Sequence, residues 1–180
     1  MFCEQFGVLK QGTVAGVWIG VWFPMSAESK KRRKRTVGDV VKIDLGDGFY
    51  SFARVLDEAI FAFYDCRTQE DLTVDSIVTR PILFQVPVMD HTVKRGRWKI
   101  VGHAPLEDRL RHPAPRFMQD VLNPTSFSIY GKGKTRPAAR EECVGLEREA
   151  VWDPSHVEDR IRDHYAGRKN KWVESLKIKG

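Results

Sequence analysis

Residues 37–67, VGDVVKIDLGDGFYSFARVLDEAIFAFYDCR, constrain the fold more than any other stretch of the chain. Val41, Ile43 and Leu45 alternate with Lys42 and Asp44, the period-two pattern of a strand with one covered face. Gly46, Asp47 and Gly48 supply turn residues that accept positive φ, and residues 49–56 run back with aromatic and β-branched side chains. A third run, residues 60–66, follows Asp57, Glu58 and Ala59. The expectation is three antiparallel strands joined by short turns.

The rest of the chain adds short elements to this core. Residues 72–79 form a connection with Asp75 as a candidate helix cap, and residues 82–89 (ILFQVPVM) read as a strand that Pro87 confines to an edge or a bulge. Residues 90–96 predict one helical turn capped by Asp90 and stopped by Gly96, with a strand beginning at Trp98. Residues 105–110 predict a short helix, residues 116–121 and 127–130 two short strands, and residues 131–134 (GKGK) a flexible basic loop without the spacing of a phosphate-binding loop.

The best-specified helix starts at Asp153, a good N-cap before Pro154, with Trp152 and Val157 at the staple positions. Val157, Ile161 and either His164 or Tyr165 make its buried stripe, Gly167 ends it, and Trp172, Val173, Leu176 and Ile178 predict that the tail docks. Together these patterns predict a mainly β (α+β) fold: a twisted antiparallel sheet or small partly open barrel, with short helices and one C-terminal helix.

At 180 residues and 42% hydrophobic, the chain is about one domain long. The expected organisation is an extension over residues 1–35, disordered or a mis-assigned start with Met25 as the true one, and a single domain over residues 36–180. The apolar part of the extension, residues 14–23, is far short of the ~20 residues a spanning helix needs. Cys3, Cys66 and Cys143 make no CxxC pair, which fits a reducing cytoplasm.

The formal charge of +6 is deceptive, because Lys30, Lys31, Arg32, Arg33, Lys34 and Arg35 account for all of it. Residues 36–75 carry nine acids against three bases, and residues 76–180 carry 20 bases against 13 acids. The six-residue basic run reads as a mobile arm, a solubilising tether or the contact of a nucleic-acid-binding β module. The acidic stretch beside it is a plausible landing surface for a basic protein, or a solvated face.

Chemistry is thinly represented. His91, His103, His112, His156 and His164 show no zinc-ligand spacing, and HExxH is absent. Asp90 and His91 make a base and its orienter only if a nucleophile approaches in space, and a small hydrolase built on His91 or His103 is the reading that needs such a cleft. Neighbouring carboxylates such as Asp57 and Glu58, or Glu70 and Asp71, point to opposite sides of extended chain and make poor acid/base pairs. No cofactor, metal or enzymatic activity is implied, and the aromatic side chains are expected chiefly in the core.

The succession KRRKRTVGDVVKIDLGDGFYSFARVLD, AFYDCRT, ILFQVPVMDHTVKRGRWKIVGHAPLE and FMQDVLNPTSFSIY resembles the immunity protein 26 family of bacterial polymorphic toxin systems. The resemblance spans residues 31–130 and weakens towards the end. It implies a mostly β, immunity-like domain with a prominent tryptophan, matched by Trp98, that neutralises a cognate toxin by stoichiometric binding rather than by chemistry. Toxins of such systems include many nucleases with basic clefts, for which an acidic partner gains association rate and specificity. The expected toxin contacts are therefore Asp57, Glu58, Asp65, Glu70, Asp71, Asp75 and Trp98.

Overall fold

The computed structural model describes residues 34–179. Of the expected extension over residues 1–35, residues 1–33, with most of the basic run, lie outside the described residues. The end of that run does not: Arg35 forms an ion pair with Asp90 at 3.1 Å and stacks over the Phe61 ring.

The opening stretch folds as its pattern predicts. β1 (Asp39–Gly46), β2 (Phe49–Val55) and β3 (Ile60–Tyr64) form an antiparallel meander, extended by β4 (Ile82–Pro87) beside β3 and β5 (Lys99–His103) beside β1. Gly46, Asp47 and Gly48 all have positive φ, and the Asp44 side chain accepts the Gly46 N–H at 2.8 Å, so the β1–β2 turn is closed by its own residues. Pro87 lies at the end of β4, an outer strand of this sheet, where its missing N–H breaks no ladder.

Both faces of the sheet are covered. On one face Val41, Ile43 and Leu45 meet Ala53, Val55, Phe61, Phe63 and Val86, with Val157 and Ile161 of helix α3 (Pro154–Tyr165) closing the core. On the other, Val40, Phe52 and Tyr64 pack on Ile77 of helix α1 (Val74–Val78). Leu56, Ile60 and Ala62 pack on Leu110, in a short 3₁₀ turn. Double coverage is why β3, IFAFY, is apolar throughout instead of alternating.

Trp98 is 1% exposed and stands edge-on to Phe61 and Phe63, with centroids 5.5 and 5.7 Å away. Its indole N–H donates to Glu158 of α3 at 2.9 Å, and Arg97 donates to the same carboxylate at 2.8 and 2.6 Å. This clamp fixes α3 against the start of β5.

A second sheet follows, in the order β8 (Lys134–Ala138), β7 (Phe127–Gly131), β6 (Arg116–Gln119), β9 (Glu147–Arg148). The basic GKGK loop is the turn of the β7–β8 hairpin, with Lys132 and Gly133 both at positive φ. β9 joins β6 in parallel. The architecture is thus mainly β in two sheets, with no closed barrel among the described residues.

Three local expectations change. Thr73, not Asp75, caps α1: its backbone is extended and its hydroxyl accepts the Ser76 N–H at 3.3 Å. Asp90 precedes helix α2 (His91–Lys94) but has helical dihedrals and no capping bond, because its carboxylate is taken by Arg35 and by Lys94 at 3.3 Å. The tail forms a further helix, α4 (Lys171–Leu176), so two helices stand at the C-terminal end. Asn170 caps α4, accepting from Trp172 and Val173 at 3.1 Å each, while its amide donates to Asp163 of α3 at 2.9 Å.

Candidate functional site

The seven expected contact residues do not form one patch. Asp57 and Glu58 lie in the turn between β2 and β3, while Asp65, Glu70 and Asp71 lie where β3 ends and β2 begins. The two groups sit at opposite ends of β2, whose seven residues span roughly 20 Å. Asp75 is exposed on the first turn of α1, and Trp98 is a core residue.

The end of the sheet at the β1–β2 turn is the more acidic. Asp44 and Asp47 of the turn lie with Asp65, Glu70 and Asp71, because Tyr50 of β2 bridges Thr68 through a pair of backbone hydrogen bonds at 2.7 and 3.0 Å. The five carboxylates here are met by Lys42 and Arg67, which lie over aromatic rings, and by Arg162 of α3, which donates to the Leu45 carbonyl at 3.0 Å and pairs with Asp159. Lys42 pairs with Asp71 and sits 3.5 Å from the Tyr50 ring centre, and Arg67 sits 3.5 Å from that of Phe49. Asp65 accepts from the Tyr165 hydroxyl at 2.7 Å and so helps to anchor α3. Among the described residues, the Asp47 and Glu70 carboxylates have no hydrogen-bond or ion-pair partner.

The other end is built differently. Glu58 and Ala59 both have positive φ, at 54° and 62°, in a turn without glycine. Left-handed backbone costs such residues about 1 kcal/mol or more each, so the surrounding structure must hold them. The Glu58 carboxylate provides that hold, accepting from the Tyr130 hydroxyl at 3.0 Å and from Arg116 at 3.4 Å. The Arg116 side chain is 4% exposed and also pairs with Glu149. Glu58, Arg116, Met118, Tyr130, Thr135 and Glu149 line a cavity of about 280 Å³ where the two sheets meet. Two carboxylates share one guanidinium there, which leaves the site negative, and the Glu58 acceptor pushes the Tyr130 phenol up from its usual range. None of this network around Glu58 is readable in the sequence, because its partners are 58 and 72 residues away.

Among the described residues, His103 is the histidine that meets a carboxylate. His103 Nδ1 lies 3.1 Å from the Asp39 carboxylate, which also accepts the Thr36 N–H at 2.8 Å. Neither this cavity nor the larger one on the second sheet is lined by His91 or His103. Among the described residues no group of three or more histidine, cysteine and carboxylate side chains is arranged to hold a metal. No helix among them is long and apolar enough to cross a membrane.

The mainly β architecture agrees with the fold class that the segment resemblance to the immunity protein 26 family implies. The chain belongs to that family: the Immunity protein 26 family model matches residues 36–128, more than half of its length. The match runs from the residue before β1's entry turn to the start of β7, so it takes in the whole first sheet, β6 and both acidic ends. Neither a curated protein nor a solved structure matches the chain.

Proposed function

We propose that this protein neutralises a cognate bacterial toxin by stoichiometric binding, and that the acidic end formed by Asp44, Asp47, Asp65, Glu70 and Asp71 is the principal contact surface. The observation that carries this reading is the cluster of five carboxylates at that end, two of them without a partner among the described residues, while Lys42 is paired with Asp71 and Arg162 with Asp159, in a chain of the Immunity protein 26 family. Lys42 is offset by Asp71 and Arg162 by Asp159, so Asp44, Asp47, Asp65 and Glu70 outweigh Arg67 and the field that projects outward is negative. Such a field steers a basic partner and raises its association rate, while like-charged proteins are turned away. A toxin with a basic substrate cleft, such as a nuclease, is the matching partner, and covering that cleft is enough to block it without chemistry.

Asp57 and Glu58 serve this reading less directly, since Glu58 is committed to Arg116 and Tyr130 within the fold. Asp57 stays exposed and extends the contact only if the toxin reaches around to that end. Trp98 supports the surface from inside, through the clamp on Glu158.

The test uses the cognate toxin, to be sought in the reading frame beside this gene. Replacing Asp47, Glu70 and Asp71 together by lysine should slow association at least tenfold at low salt, flatten its salt dependence and abolish protection in co-expression, with the fold retained by circular dichroism. Removing residues 25–34 should leave protection intact. Unchanged association and protection in the triple lysine variant would show that the contact lies elsewhere, and loss of protection on removing the basic run would favour the nucleic-acid-binding alternative.

A further inference from the structure

A cavity of about 460 Å³ lies away from both acidic ends, between the second sheet and α4. Its floor is apolar: Phe117 of β6, Leu146 before β9, and Val173, Leu176 and Ile178 of the C-terminal segment. Val144 stands on its rim and is 70% exposed. The chain order explains the groove. The β6–β9 pairing brings Phe117 beside Arg148, and the Asn170 cap turns the tail so that α4 returns along the sheet.

The charge around this floor is uncompensated. Arg148 lies over the Phe117 ring, 5.0 Å from its centre, and donates only to neutral oxygens: the Leu176 carbonyl at 2.9 Å, the Gln119 amide at 2.7 Å and the Lys177 carbonyl at 3.4 Å. The Arg140 side chain, also lining the groove, has no hydrogen bond or ion pair among the described residues. Glu147, the one carboxylate in the lining, is turned to Arg160, which donates to both of its oxygens. A half-buried guanidinium such as that of Arg148 is normally balanced by a carboxylate, because partly desolvated charge is costly, whereas Arg140 is exposed and free to meet a ligand. An apolar floor edged by Arg140 and by Arg148, neither of which meets a carboxylate, while Lys177 is paired with Glu174, fits a ligand that is aliphatic in the middle and anionic at its ends.

We propose that this groove binds an acidic, aliphatic peptide segment of a partner protein, with leucine- or isoleucine-like side chains on Phe117 and Leu176 and carboxylates on Arg140 and Arg148. A peptide fits better than a small anion because the apolar surface does not stop at the groove. Val144 continues it onto the rim, where only a longer chain would cover it. This site is the electrostatic opposite of the toxin-facing end, and the two are separately testable: variants of Asp47, Glu70 and Asp71 report on one, variants of Arg140 and Val144 on the other.

The experiment is a titration of the ¹⁵N-labelled full chain with a synthetic peptide of about a dozen residues alternating Asp or Glu with Leu or Ile. Shift changes should cluster at residues 143–148 and 173–178, and the same peptide carrying a fluorophore should bind at least tenfold more weakly to Arg140→Glu and to Val144→Asp. Both positions are exposed, so neither change threatens the fold. A peptide with Lys and Arg in place of the acids should not bind. The proposal is overturned if the acidic peptide causes no clustered shifts at about 1 mM, or if the basic peptide produces the same pattern. It is equally overturned if decanoate alone reproduces the full pattern, which would make this a small-anion cleft, or if a single-stranded oligonucleotide binds there more tightly than the peptide.

Discussion

Truncating Glu158 to alanine tests whether the clamp between α3 and β5 holds the first sheet's core together. Glu158 is 7% exposed and accepts three hydrogen bonds, one from the Trp98 indole and two from Arg97. Removing the carboxylate strands the Trp98 N–H in the core, which costs roughly 1–3 kcal/mol. Arg97 has a 45% exposed side chain and regains water, so its share is discounted to about 0–1 kcal/mol. The expected loss is about 1–4 kcal/mol, or a fall in urea midpoint on the order of 1–2 M, read by circular dichroism. Trp98→Phe separates the causes, since phenylalanine keeps a ring against Phe61 and Phe63 but has no N–H to strand. In that background Glu158→Ala should lose only the Arg97 share, giving a coupling of about 1–3 kcal/mol between the two sites. Additivity within about 0.5 kcal/mol would refute the reasoning, because it would mean that the indole finds another acceptor or never relied on this one.

Other consequences are as direct. The Tyr64 hydroxyl is buried without a partner, and burial, then the nearby Glu107 charge, push its pKa up to about 12. A raised folded pKa favours the protonated form, so this contribution is full below about pH 10 and is lost as pH rises through about 12. Tyr64→Phe should therefore blunt alkaline unfolding and match or exceed the parent at pH 7 by up to about 1 kcal/mol, measured by denaturation across pH. Gly102→Ala would set a Cβ 2.2 Å from a Val74 methyl, costing roughly 1–3 kcal/mol, and pairing it with Val74→Ala should recover most of that in thermal melts. Asp163 is held below the ordinary carboxylate range by the Asn170 amide first and Arg168 second. Its contribution is present above about pH 4 and is lost as pH falls through the lowered value, so α4 should loosen first in acid, seen as Trp172 fluorescence change. Asn170→Ala should produce the same local loosening at neutral pH, at about 1–2 kcal/mol, with faster hydrogen exchange confined to α4.

Local patterns were legible where the physics is local. The alternation of Val41, Ile43 and Leu45, the Gly46-Asp47-Gly48 turn, the edge position of Pro87 and the Asp153 cap before Pro154 all depend on backbone preferences within a few residues. The tail's apolar residues likewise announced that it docks, though not that Asn170 would cap a helix there. What failed locally failed by competition: Asp90 lost its capping role to charges at Arg35 and Lys94, and Asp75 to the better-placed Thr73 hydroxyl. β8 and β9 escaped notice because KTRPA is almost wholly exposed and β9 is two residues long, so neither carries a hydrophobic period.

The acidic excess of residues 36–75 was plain from composition, and the segment order was enough to point to the family. Composition could not say that β2 separates those acids into two ends, that Glu58 is spent on an internal network with Arg116 and Tyr130, or that Trp98 lies in the core. Nor could it show Arg148 without a carboxylate. Those outcomes depend on residues distant in the chain that folding brings together, as Glu58 is brought to Arg116 and Tyr130, 58 and 72 positions away. By itself the sequence determined strands, turns, caps and the sign of the charge, because each is set by neighbours along the chain. Only the tertiary structure decided which charges are neutralised inside and which remain for a partner, because pairing and desolvation are properties of neighbours in space.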